Sequence, residues 1–137
     1  MISYRFTENE LKYLCAVKHI KALCQHQFHN SPLDESSIKT TVKSLEGKSF
    51  IEVRDDKVII NKGISMLIDV LSSPQCLYIG DGERKFTAYI ADNCSVLLIN
   101  EKSSSVILLC PFPNENELEH WLRANGLFEW RIILSEE

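Results

Sequence analysis

Cys15, His19, Cys24, His26 and His29 are the residues of this chain whose types come nearest to a metal site, thiols and imidazoles gathered in one short stretch. Such soft donors are the set that zinc takes. Their spacing argues against it. Periodicity predicts a helix from about Glu8 to Cys24, on which Cys24, five residues beyond His19, faces away from Cys15 and His19. The expectation is one buried thiol, one exposed thiol and surface histidines, with no metal bound. Nucleophilic catalysis would need a serine or cysteine beside a histidine and an orienting carboxylate. No local signature supports one: the chain has no nucleophile elbow, HExxH, phosphate-cradling glycine loop or acid-rich calcium loop. Gly80 and Gly82 in YIGDGERK read as a hairpin turn, and His120 beside Trp121 reads as a surface or rim histidine. No catalytic residue and no cofactor is expected, so the chain is read as non-enzymatic.

The elements that would position any function come from a chain of 137 residues, 45% hydrophobic. That length suits one core. Nineteen acidic against 15 basic residues leave a net charge of -4, a field mildly repulsive to phosphate backbones. Nucleic acid is therefore disfavoured. Apolar runs such as Val96 to Ile99 and Val106 to Cys110 fall far short of the roughly 20 residues that span a bilayer. Charged Arg5, Glu8, Glu10 and Lys12 stand where a secretory signal would need an apolar stretch. A cytoplasmic protein without membrane contact is expected. The five cysteines, odd in number and set in apolar stretches, read as small buried hydrophobes in a reducing compartment.

Thr7 with Glu10 three residues on has the spacing of a capping box, and Tyr13, Val17, Ile20 and Cys24 follow at helical intervals. Lys12, Lys18 and Lys21 are assigned to the solvated side. Gln25 to Asp34 reads as a loop. Asp34 or Ser36 can cap a second helix with Ile38, Val42 and Leu45 on one stripe, and Gly47 is expected as its left-handed terminator. SFIEV and KVIIN, joined by Arg54-Asp55-Asp56, predict a hairpin. A third helix is expected over Lys62 to Leu71, stopped by Pro74. CLYIG, KFTAYIA, SVLLIN and SVILLC then read as four strands of an antiparallel meander. The last two are apolar at successive positions, which predicts cover on both faces. A helix over Asn114 to Asn125 supplies one cover, and the N-terminal half or a second subunit the other. Leu127 to Ile133 is too apolar for a free tail and should be docked.

These readings give an α+β fold over residues 1–137: a winged-helix-like helical half, residues 1–73, followed by a four-stranded antiparallel meander and a C-terminal helix, residues 74–137. The exposed side of the second helix offers Lys39, Thr40, Thr41, Lys43 and Ser44, few base readers. The wing tip is Asp55-Asp56, which would repel DNA, so the module is read as kept for its shape.

FTENELKYLCAV, then VKSLEGKSFIEVRDDKVIINKGISMLIDVLSSPQCLYI, then KFTAYIADNCSVLLI and SVILLCPF, and finally ELEHWL carry a resemblance to the EspG and EsaE type of type VII secretion chaperone. The resemblance implies a winged-helix-like start, an antiparallel sheet and a C-terminal helix, given twice in pseudo-symmetric halves in that family. This chain supplies one such unit. A homodimer through the sheet is therefore expected, burying the apolar ground that a second half would cover. By the same resemblance, client contacts fall on Tyr78, Arg84, Lys85, Phe86 and Tyr89. Alternation along KFTAYIA, however, must send half of its side chains inward. The leading expectation is a cytosolic adaptor or chaperone for a protein client, such as a type VII substrate. The alternative is a winged-helix transcription regulator with a C-terminal dimerisation or sensing region.

Overall fold

The computed structural model describes residues 2–21, 23, 33–80, 86–92, 94–100, 106–127 and 130–134, the last segment by its backbone alone. The elements run β1 (Tyr4–Thr7), α1 (Glu8–Val17), α2 (Glu35–Gly47), β2 (Ile51–Arg54), β3 (Lys57–Ile60), α3 (Lys62–Ser72), β4 (Cys76–Gly80), β5 (Phe86–Ile90), β6 (Ser95–Asn100), β7 (Val106–Phe112), α4 (Glu115–Ala124) and β8 (Trp130–Leu134). β2 and β3 pair with each other, and the remaining strands form one antiparallel sheet of six in the order β1-β7-β6-β5-β4-β8. Its width corrects the expected four strands. β4 to β7 pair in sequence order, and β1 and β8 extend them at the two ends. Four residues, Tyr4–Thr7, are too few to show a strand period, so only pairing with β7 reveals β1. The apolar tail beyond α4 docks as β8, with Leu134 opposite Cys76 and Trp130 opposite Gly80.

Period-two alternation divides the sheet into two apolar faces. Phe6, Leu77, Tyr89, Val96, Leu98, Ile107 and Leu109 join one core with Leu11 and Leu14 of α1, Leu45 of α2 and Ile64, Leu67, Ile68 and Leu71 of α3. Tyr78, Phe86, Ala88, Ile90, Leu97, Cys110 and Phe112 form the other with Leu118 and Leu122 of α4. Val96, Leu97 and Leu98 are buried in succession, at 0%, 0% and 3% exposure, because β6 has cover on both sides. The chain's own N-terminal helices provide the second cover.

Helix ends are set by local chemistry. Thr7 accepts from the Glu10 amide at 3.1 Å while the Glu10 carboxylate accepts from the Thr7 amide at 2.8 Å, a complete capping box. α1 then stops at Val17, seven residues short of the predicted Cys24. His19 takes a left-handed φ of 58°, and the amides of His19 and Ile20 donate to the carbonyls of Ala16 and Cys15. This is a Schellman closure, and Ile20 meets the apolar period as the residue after the turn. α2 ends the same way at Ser49, φ 62°, with the Phe50 amide on the Leu45 carbonyl. Gly47, expected to be the left-handed terminator, is instead the last helical residue. α4 closes as anticipated on Gly126, φ 72°. The hairpin tip holds Asp55 and Asp56 at φ 48° and 63°, the signs of a type I′ turn.

The helical layer is tied to the sheet through charge. The Glu10 side chain is 1% exposed, and its carboxylate accepts from Lys48 Nζ at 2.8 Å and from Ser44 Oγ at 3.1 Å. Lys48 Nζ also donates to the Arg5 carbonyl at 2.9 Å. Lys18, assigned to the solvated side of α1, is 16% exposed and pairs with Asp69 of α3 at 3.0 Å while donating to Ser65 Oγ.

Two outcomes follow. Glu10→Gln should cost about 2–4 kcal/mol in urea unfolding, because it leaves the half-buried Lys48 ammonium without its counter-ion; a loss below about 0.5 kcal/mol would show that the node is not stabilising. Gly47→Ala should raise stability by about 0.5–1 kcal/mol, since a helical glycine with open space around its Cβ position gains from the added methyl group.

Candidate partner-binding surface

α4 meets the sheet through Tyr78. The phenol lies under the helix at 3% exposure, and its single hydroxyl hydrogen is shared between Glu115 Oε1 and Glu119 Oε1, the latter at 3.1 Å. Burial, then the bonds to these two carboxylates, push Tyr78 far above the ordinary phenol range. Glu115 and Glu119 stand four residues apart on one helix, where like charges repel. A shared donor offsets that repulsion and fixes the rotation of α4. Asn114 caps the helix by accepting from the Glu117 amide at 2.9 Å.

Phe86 and Tyr89 take opposite faces. Phe86, 5% exposed, belongs to the α4 side, and its ring lies where a Cβ on Gly80 would come within 2.2 Å. Gly80 thus ends β4 in close contact with an aromatic ring. Tyr89, 0% exposed, points into the core beneath the N-terminal helices. The client contacts expected at Tyr78, Phe86 and Tyr89 are therefore corrected: all three pack the interior, because both faces of the sheet are sealed by helices of the same chain. Arg84 and Lys85 lie outside the described residues, as does Gly82.

The thiol and imidazole cluster does not assemble among the described residues. Cys15 is buried at 3% exposure, and His19 is committed to the turn that ends α1; Cys24, His26 and His29 lie outside the described residues. Burial raises the thiols of Cys15, Cys94 and Cys110, and also that of Cys76, where the Glu115 charge adds to it. For Cys15 the rise is from 9.0 to about 11. Such thiols stay protonated at neutral pH and are poor nucleophiles. His120 is exposed on α4.

The outer side of α2 is also thinner in polar readers than its sequence suggests. Thr41 is buried at 5% exposure, and Ser44 spends its hydroxyl on Glu10. Lys39, Thr40 and Lys43 stay exposed there, and exposed apolar side chains stand nearby in the fold: Val53 and Ile59 on the hairpin are 40% and 49% exposed, and Met66 on α3 is 49% exposed. Sequence patterning missed these because each occupies a regular position in a strand or helix, and only the packing shows that none of the described residues covers it.

No family model matches this chain, and no curated protein matches it. Among solved structures its fold is similar to that of the Mycobacterium tuberculosis type VII secretion system chaperone EspG5, determined in complex with a PE25-PPE41 dimer. The two share 9% identity at a TM-score of 0.60, over 93% of this chain and 53% of that one. The chain thus spans about half the length of the structure it matches. A likeness at this identity establishes the fold. No helix among the described residues is long and apolar enough to cross a membrane.

Tyr78→Phe should lower stability by about 1–2 kcal/mol, since two facing carboxylates lose their shared donor; an unchanged melting temperature would mean that α4 is held by its apolar stripe alone. The thiol shifts also set a direction with pH. The folded chain keeps the Cys15 proton up to about 11, whereas the unfolded chain releases it near 9.0. Stability is then complete below about pH 9 and falls as the pH rises towards 11. Urea midpoints at pH 8 and 10.5 check the sign.

Proposed function

We propose that this chain is a non-enzymatic adaptor of the chaperone kind, holding a protein client in the cytoplasm without a cofactor. The observation that carries this reading is the fold shared with a type VII secretion chaperone solved together with a protein dimer. Two features of the chain support it. Cys15, Cys94 and Cys110 are buried and their thiols raised, which suits packing better than chemistry. Its open apolar side chains stand on a hairpin and a helix face, where a polypeptide can reach them.

The finer reading is a client of the type VII secreted class, held by a homodimer. In it, α1, α2 and the β2–β3 hairpin form a winged-helix-like unit used for its shape. With the sheet sealed on both faces, two copies would meet along the margin of the α4 side, where Ile99, Leu108 and Trp121 are only half-buried. Arg84 and Lys85 stay as proposed client contacts.

The test is recovery of the tagged full chain from its native host, with bound proteins identified by mass spectrometry and chain mass measured by light scattering. One client at near-equal amounts, on a species with the mass of two chains, is the expected result. A bare single chain with no protein above background would overturn the proposal. So would duplex DNA binding that weakens steeply with salt, since that slope reports phosphate contacts.

A further inference from the structure

α3 and the turn joining β5 to β6 leave a groove between them, of about 390 Å3, with Met66, Asp69, Val70, Ala91, Asp92 and Cys94 among its lining residues. Its floor is apolar and uncharged. Val70 and Cys94 are 7% and 6% exposed, and burial keeps the Cys94 thiol protonated. Its mouth is different: Met66, Asp69 and Asp92 are all exposed. Two carboxylates therefore rim an apolar trough, and no cationic side chain lines it among the described residues. Lys18 pairs with Asp69 at 3.0 Å, yet 63% of the Asp69 side chain stays exposed. A carboxylate has about four lone-pair sites, so one ammonium does not saturate it.

This arrangement selects among occupants. The rim repels phosphate, which disfavours nucleic acid and anionic lipid headgroups. The volume sits at the low end of the roughly 300–1,000 Å3 of small-ligand sites, room for a side chain and part of a neighbour. An occupant that suits both parts has an apolar stem ending in a cation. Lysine and arginine have that shape, with methylenes that lie along apolar walls and a head that seeks a carboxylate. Met66, unbranched and polarizable, can close over such a stem as a lip.

We infer that this groove takes a lysine or arginine side chain, flanked by an apolar residue, from a short segment of a partner polypeptide. The inference rests on the adaptor reading above and adds to it the chemistry of the segment that is held. Asp69 and Asp92 receive the cation, while Val70 and Met66 receive the stem.

The test is an amide-shift titration of the 15N-labelled full chain with acetyl-Leu-Arg-Leu-amide, with acetyl-Leu-Glu-Leu-amide as the charge-reversed probe. The arginine peptide should give saturable shifts confined to residues 66–73, 91, 92 and 94 among the described residues, weakening as salt rises. Asp92→Asn and Met66→Lys both alter exposed side chains, and an unchanged amide dispersion verifies that each variant folds. Each should bind the arginine peptide about two- to fivefold more weakly, the size expected of partly exposed ion pairs. No saturable shift, an equal response to the glutamate peptide, or unchanged affinity in both variants would overturn the inference. Client recovery separates this from the broader proposal. A client held equally by the wild type and Met66→Lys removes the groove and keeps the adaptor, whereas peptide binding without any client keeps the groove and removes the adaptor.

Discussion

Thr7 closes β1 and caps α1 in one residue, so the first helix leaves the sheet with no intervening loop. A junction that abrupt is stiff only if its polar groups are satisfied, and Glu10 satisfies them. Its carboxylate takes the Thr7 amide, the Ser44 hydroxyl and the Lys48 ammonium, while Lys48 reaches on to the Arg5 carbonyl of β1. Strand, first helix and second helix are thereby joined at one nearly buried charge. Taking such a charge out of water costs several kcal/mol unless its partners are in place, so the geometry tolerates little drift. The seating of α2 on α1, and of both on the sheet, follows from it.

The sealed sheet then constrains what the molecule can offer to a partner. With α4 over one face and the N-terminal helices over the other, Phe6, Tyr78, Phe86, Tyr89 and Phe112 are interior. Tyr78 and Tyr89, adjacent in the β4–β5 ladder region, serve two different cores. Exposed apolar ground among the described residues therefore lies around the sheet and not on its faces: the hairpin with Val53 and Ile59, the α3 face with Met66, and the acid-rimmed groove beside it. Charge and apolarity meet at that groove. A surface of this kind favours a polypeptide that brings a cation on an apolar stem, and it works against phosphate. The likeness to half of a chaperone chain is one of fold.

Much of the architecture was legible in the residues. Capping chemistry is local, so Thr7 with Glu10, Asp34, and Gly126 marked helix ends that the structure keeps. Apolar periods placed α3 and α4, and the successive apolar residues of SVLLIN announced a strand covered twice. The turn at Asp55-Asp56 was equally plain. Each of these is decided by interactions within a few residues.

The rest depended on contacts between residues far apart in the chain. β1 exists as a strand because β7 pairs with it, and four residues hold no period that could show this. α1 stops at Val17 because Ile20 is drawn back into the core through a left-handed His19, an outcome that the apolar spacing alone could not tell from another helical turn. Lys18 looks solvated on a helical wheel but faces Asp69 and Ser65 across the α1–α3 contact. The aromatics of β4 and β5 were assigned to a partner surface because alternation says only that half of them turn inward, and a sheet sealed on both sides turns both halves inward. Sequence by itself thus determined the elements and their local ends, through short-range hydrogen bonding and hydrophobic period. Which surfaces stay open was decided by tertiary packing, because exposure belongs to the assembled layers and to no single segment.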